Sequence, residues 1–221
     1  MNEARGCWAV VPVKELAHAK TRLSPECPPS VRIALARAML EDVLRSLAEV
    51  HALAGIAIVT VDAYAVKLAD RYDAQVFSDG ARDGHTGAVR AAAQRLERQG
   101  CGTMLTLPGD LPAVASAEIE RVLRRHAEGP SFTICPAHDR RGSNAIVMSP
   151  PCAIPLAFGN DSFLPHLEAA RGHGIEPTIV LDVPGIARDV DHYEDLMALQ
   201  SLPGARLTKA VLEQYALHKA A

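Results

Sequence analysis

Long apolar runs are missing from this sequence: no stretch approaches the roughly 20 residues that a membrane-spanning helix needs. Nor does the N-terminus show a signal pattern, so a cytoplasmic location without a membrane partner is expected. Cysteine is sparse. Cys7, Cys27, Cys101, Cys135 and Cys152 are odd in number, scattered, and never form C-x-x-C. That argues against a disulfide framework or a structural zinc site and suits free thiols in a reducing compartment. The nine histidines include no H-E-x-x-H, which leaves a zinc hydrolase without support. Strong charge of either sign is absent too. A net charge of -3 and a pI near 6.3 give no basis for coating nucleic acid or binding a membrane through a basic patch. Finally, the chain has no G-x-G-x-x-G and no G-x-x-x-x-G-K-[ST], so neither a dinucleotide fingerprint nor a P-loop is available.

What is present is an alternation of short apolar runs with helical periodicity. The segments 7–13, 55–61, 74–78, 103–108, 131–136, 145–149 and 177–183 read as strands. Between them, Val31, Leu35, Met39, Val43 and Leu47 form an i, i+4 stripe that predicts an amphipathic helix. Further helices are expected around 63–71, 86–98, 115–127 and 162–171, with two helical stretches at the C-terminus. Strands separated by helices imply βαβ units and a largely parallel sheet covered on both faces. One α/β domain over residues 1–221 is the expectation for 221 residues, with 205–221 as a helical tail. The apolar residues Leu207, Val211, Leu212, Tyr215 and Leu217 let that tail either cover the sheet of its own chain or build a homodimer.

In such sheets ligands bind beyond the carboxyl ends of the strands, and there the charged residues gather. The first predicted strand runs straight into Lys14, Lys20 and Arg22. Three cations that close together repel one another unless an anion joins them. Two lysines and an arginine suit a polyphosphate, held by side chains where glycines are lacking; a solvated basic loop is the plainer reading. In L-P-G-D-L-P (107–112), Asp110 lies between Pro108 and Pro112, whose rings stiffen the turn. Asp189 and Asp191 stand two apart, a spacing that points both to one side of an extended chain. Three converging carboxylates call for a divalent cation, and oxygen-only ligation suits magnesium. Asp110 could equally be a turn aspartate, and Asp191 with Glu194 makes a capping box for the following helix.

Two more loops have the character of anion receptors. Gly142, Ser143 and Asn144 immediately precede a predicted strand, and Gly159 and Ser162 open a predicted helix, whose unpaired N–H groups favour a phosphate or carboxylate. Together they suggest a second, smaller anionic ligand facing the polyphosphate.

Five segments in this order resemble the 2-phospho-L-lactate guanylyltransferase family of coenzyme F-420 biosynthesis, whose bacterial relatives use phosphoenolpyruvate or 3-phosphoglycerate. They are V-P-V-K-x-x-x-x-A-K-T-R-L (11–23), L-P-G-D-L-P (107–112), R-G-S-N-A (141–145), F-G-x-x-S-F (158–163) and D-V-D-x-x-E-D-L (189–196). The likeness covers nearly the whole chain. It implies a Rossmann-like, nucleotide-diphospho-sugar transferase (GT-A-like) fold and transfer of GMP from GTP to a small phosphorylated carboxylic acid, with release of pyrophosphate. It further implies Lys14, Lys20 and Asp110 in catalysis; Lys14, Lys20, Arg22, Gly84 and Thr86 on the nucleotide; and Ser143, Asn144, Gly159 and Ser162 on the acceptor. Mg2+ would be held by Asp110, Asp189 and Asp191. Where the family commonly reads G-L-N-A-A, this chain has His85 and Thr86 within D-G-H-T-G-A-V (83–89), and its acceptor loop carries Arg140 and Arg141. An arginine there suits a more acidic acceptor such as 3-phosphoglycerate. Two other readings stay open: a CTP- or GTP-dependent nucleotidyltransferase acting on a molybdopterin, sugar or polyol phosphate, and a catalytically silent nucleotide-binding protein.

Overall fold

Three consecutive residues of the first strand, β1 (Cys7–Pro12), are fully buried: Ala9, Val10 and Val11. Successive side chains of a strand point to opposite faces, so burial of all three means that the sheet is covered on both sides. In the computed structural model, which describes residues 6–159 and 161–215, six more strands complete that sheet. They are β2 (Leu53–Val59), β3 (Gln75–Phe77), β4 (Thr103–Thr106), β5 (Ser131–Pro136), β6 (Ser143–Ser149) and β7 (Thr178–Ile179). Their order is β3-β2-β1-β4-β6-β5-β7. The pairs β2–β3, β1–β2, β1–β4 and β5–β7 are parallel, whereas β6 runs antiparallel to both β4 and β5.

The described residues form seven α-helices: α1 (Pro29–Ala48), α2 (Ala63–Arg71), α3 (Gly84–Arg98), α4 (Ser116–Arg125) and α5 (Phe163–Gly172), which cover the two faces, and α6 (Tyr193–Ala198) and α7 (Arg206–Gln214), which lie outside α1. On one face Ala9, Val11, Ile58 and Leu105 pack with Leu40 and Val43 of α1, Leu68 of α2 and Val122 of α4. On the other, Val10, Met104 and Ile146 pack with Val89 and Leu96 of α3 and with Leu167 of α5. All five residues of the predicted α1 stripe are buried, but they serve two surfaces. Val43 and Leu47 face the sheet; Val31, Leu35 and Met39 face outward onto a third cluster with Leu196 of α6 and Leu212 of α7. The C-terminal stretch therefore packs on α1 rather than on the sheet. Its first turn is capped from α1, where the buried Asp42 carboxylate accepts hydrogen bonds from the backbone N–H groups of Leu207 (3.0 Å) and Thr208 (2.9 Å) and from the Thr208 hydroxyl. The predicted tail beyond Tyr215, including Leu217, lies outside the described residues.

Two other boundaries differ from the sequence reading. The expected strand 177–183 pairs with β5 over Thr178 and Ile179 alone, at the sheet edge. Val180 and Val183 remain buried, so their apolar character reflects packing into the core from a loop. Ser143 and Asn144 do not precede β6; they are its first two residues. Among the described residues no helix is long and apolar enough to cross a membrane.

Candidate active site

The carboxyl ends of β1, β2 and β4 open onto one cleft of about 710 Å³, lined by Lys14, Lys20, Arg82, Gly84, His85 and Asp110 among others. The reversed strand β6 brings its amino end to the same edge. A second cleft of about 810 Å³ opens there, lined by Ser143, Asn144, Gly159, Ser162, Asp189, Asp191 and Arg141. His85, Pro108 and Asp110 line both clefts, which therefore meet at the end of β4. Gly84 starts α3 with a φ of +73°, a left-handed conformation that glycine adopts without penalty.

Lys20 is the point at which the basic and acidic groups join. Its Nζ lies 2.6 Å from Asp110 Oδ2 and 3.3 Å from Asp191 Oδ1, and its side chain is 9% exposed. Burial by itself would push the ammonium pKa down, but the Asp110 and Asp191 carboxylates overcome this and hold it above the ordinary lysine value. Lys20 also has a φ of +55°. That left-handed conformation costs a non-glycine residue of order 1 kcal/mol and persists only where the surroundings enforce it. Arg22 pairs with the other oxygen of Asp191, whereas Lys14 is exposed at the cleft wall. The loop carrying Lys14 and Lys20 is pinned by Asp62, which accepts from Leu16 N–H through one oxygen and caps α2 through the other. Asp62 was not among the residues singled out from the sequence.

The three aspartates converge but are not gathered as one ligand set. Asp110 and Asp191 share the Lys20 ammonium, and Asp189 accepts from Asn144 Nδ2 at 3.2 Å. Among the described residues no group of three or more His, Cys, Asp or Glu is arranged to hold a metal ion. The donor chemistry nonetheless fits a hard cation. Burial raises the Asp189 pKa, the Asn144 hydrogen bond works against the rise, and repulsion from Asp110 and Asp191 adds to it. A divalent cation would relieve that residual repulsion. The backbone secures the arrangement, since Val190 N–H donates to the Asp110 carbonyl and Asn144 Nδ2 donates to the Ile186 carbonyl. The helix cap expected of Asp191 with Glu194 is made instead by Asp195, whose Oδ2 accepts from the Asp191 and His192 N–H groups. The Asp191 carboxylate is thereby left to the cations.

In the second cleft, Ser162 does not use its side chain to cap α5. Its hydroxyl donates to Ser143 Oγ at 3.1 Å, and Ser143 also contacts His166 Nδ1 at 2.9 Å. The first N–H of α5, that of Phe163, is taken by the Arg141 carbonyl, and Arg141 pairs with Asp161 at the cleft mouth. Thr86, expected on the nucleotide, has its hydroxyl turned toward this cleft rather than toward that of Lys14 and Lys20. Its Oγ1 accepts from Phe158 N–H at 2.9 Å and lies 3.3 Å from the Phe158 carbonyl. The His85 and Phe158 ring centroids lie 4.3 Å apart with the planes tilted by 40°, and Phe158 meets His166 edge-on at 5.2 Å. Burial lowers the His85 pKa to about 4, with Lys14 adding to the effect and Asp110 opposing it. No signal in the sequence marked His166.

A basic cleft and a second, polar cleft meet over carboxylates at the strand ends of a mixed α/β sheet, an arrangement suited to a nucleotidyltransferase. The fold is shared with solved structures. A protein of Desulfovibrio desulfuricans described as a nucleotide-diphospho-sugar transferase superposes with a TM-score of 0.69 at 20% identity, covering all of both chains. A 4-diphosphocytidyl-2C-methyl-D-erythritol synthase superposes with a TM-score of 0.62 at 13% identity, over 94% of this chain and 99% of the other. Residues 7–213 match the family described as guanylyl transferase, CofC like, and the chain belongs to that family. Its relatives include a phosphoenolpyruvate guanylyltransferase of Rubrobacter xylanophilus, 35% identical over 90% of this chain and 96% of the relative. A 3-phospho-D-glycerate guanylyltransferase of Colwellia psychrerythraea is 32% identical over 88% and 92%. A 2-phospho-L-lactate guanylyltransferase of Methanothermobacter thermautotrophicus is 31% identical over 85% and 81%.

Proposed function

We propose that this guanylyltransferase moves GMP from GTP to a small phosphorylated carboxylic acid, namely phosphoenolpyruvate, 3-phosphoglycerate or 2-phospholactate, in a step of coenzyme F-420 formation. The observation that carries the reading is the meeting of two clefts of different chemistry at Asp110 and His85. A triphosphate fits the cleft of Lys14 and Lys20, with Arg22 at its acidic edge. A smaller anion fits the cleft of Ser143, Gly159, Ser162 and Arg141. The five free thiols accord with work in a reducing cytoplasm.

The chemistry follows from the placement. A phosphate oxygen of the acid attacks the α-phosphorus of GTP; the new P–O bond forms as the bond to the β-phosphate oxygen breaks, and pyrophosphate leaves with that electron pair. The nucleophile is already anionic, so no strong base is needed, and the acceleration comes from positioning and charge stabilisation. Lys14 and Lys20 offset the charge on the departing pyrophosphate. Asp110, Asp189 and Asp191 would hold a magnesium ion, which would supply further positive charge at the phosphates.

The test is pyrophosphate release from GTP with magnesium and each of the three acids separately, with CTP as the control nucleotide. Release with GTP and at least one acid is expected. Release that requires CTP and a sugar phosphate or polyol phosphate would overturn the reading. Arg141→Ala is expected to depress use of 3-phosphoglycerate more than that of phosphoenolpyruvate.

A further inference from the structure

Ser143 opens β6 on the wall of the acceptor cleft and is 8% exposed. Its hydroxyl has two partners, His166 Nδ1 at 2.9 Å and Ser162 Oγ at 3.1 Å. Which of them donates is decided on the far side of the imidazole. There the backbone N–H of Ala157 donates to His166 Nε2 at 3.0 Å, so Nε2 carries no proton. A neutral imidazole has one N–H, and here it has to sit on Nδ1. Burial supports the neutral form, lowering the His166 pKa to about 4, with His85 adding to the effect. His166 is 1% exposed and is flanked by the rings of Phe158 and Phe132, which hold its plane.

His166 Nδ1–H therefore donates to Ser143 Oγ, and so does the Ser162 hydroxyl. A serine hydroxyl has two lone pairs and one proton. Both lone pairs are used, and the proton is left for whatever enters the cleft. We propose that His166 is a positioning residue: it compels Ser143 to present its O–H to the acceptor as a hydrogen-bond donor for a phosphate or carboxylate oxygen. With the opposite tautomer, Ser143 would spend its proton on His166 and turn a lone pair toward the ligand, which repels an anion. The device thus selects for anionic acceptors without adding charge. It rests on the reading that this cleft holds the phospho-acid.

The test is a kinetic comparison of the full chain, His166→Leu, His166→Asn, Ser143→Ala and the His166→Leu/Ser143→Ala double variant. KM is measured separately for GTP and for the acid by pyrophosphate release. His166→Leu is expected to lower kcat/KM for the acid by roughly 10- to 100-fold, the range for losing a hydrogen bond to a charged group, with the GTP KM unchanged. His166→Asn keeps an N–H near the Nδ1 position and should restore most of the loss; it also serves if the leucine variant fails to fold. The double variant should be no worse than Ser143→Ala alone, because the two residues act as one unit. Nitrogen-15 NMR of the wild type should show His166 as the Nδ1–H tautomer.

An Nε2–H tautomer, multiplying losses in the double variant, or equal rises in both KM values would overturn the inference. So would an acid KM that stays unchanged in His166→Leu while the wild type turns over. A wild type that releases no pyrophosphate with any of the acids overturns the assigned function instead, and this inference with it.

Discussion

Lys20 Nζ lies 2.6 Å from Asp110 Oδ2, although ninety residues separate the two. This contact joins the loop after β1 to the loop after β4, and Asp191 extends it to the chain leading into α6. The cations of the first loop are thus already partnered within the protein. A triphosphate bound as proposed would have to compete for Lys20, and Asp110 and Asp191 would be freed to the extent that it succeeded.

Replacing Lys20 by methionine keeps much of its volume and removes its charge. Turnover is expected to fall by about 100- to 10,000-fold, as for other groups that stabilise charge in a transition state. The readout is pyrophosphate release at saturating GTP, with circular dichroism as the check on folding. A folded Lys20→Met protein with the wild-type rate would show that the ion pair is structural only.

Thr86→Val removes the hydroxyl that accepts from Phe158 N–H and keeps the shape of the side chain. The loop bearing Gly159 should then lose its fixed height above the acceptor cleft. Steady-state kinetics should show a rise of about tenfold in the acid KM, the equivalent of one hydrogen bond, with the GTP KM little changed. A rise confined to GTP would place Thr86 on the nucleotide instead.

Asp42→Ala leaves three donors at the start of α7 without their acceptor. The cost is about 2–3 kcal/mol, between the loss of a helix cap and that of a buried hydrogen-bonding network. For a chain of this size that corresponds to a fall of roughly 5–10 °C in Tm. Calorimetry measures it, and turnover well below Tm should stay at the wild-type level. An unchanged Tm would mean that α7 contributes nothing to the stability of α1.

Burial lowers the pKa values of His85, His126 and His166 to about 4, below the 6.5 expected in the unfolded chain. The unfolded state consequently binds more protons in this window. Stability is complete above pH 6.5 and is lost as the pH falls toward 4. His126 bonds to the hydroxyls of Thr133, Ser131 and Ser149; in His126→Gln the decline should be shallower. Thermal melts across this range check both statements, and a Tm that rises on acidification would refute them.

The sequence disclosed the site's components more fully than its wiring. Strand β1, the α1 stripe from Val31 to Leu47, and Asp110 between its prolines are local patterns, and each lies where its pattern places it. The remainder depends on partners far away in the chain. Lys20 sits in an αL turn, and the two aspartates its side chain meets lie 90 and 171 residues away. Asp42 caps a helix 165 residues away. The cap expected of Asp191 went to Asp195, four positions later, because Asp191 is claimed by Lys20 and Arg22. His166 carries no mark at all, since its importance lies in which nitrogen holds the proton.

Because β6 runs against its neighbours, one wall of the second cleft is built by the β5–β6 hairpin, with residues 137–142 at its tip. The loops after β1, β2 and β4 are threaded through the parallel half and share its core. A hairpin tip can be lengthened, shortened or recharged without disturbing them. Under the proposed function, changes at that tip are therefore expected to alter the choice of acid while leaving the GTP KM unchanged.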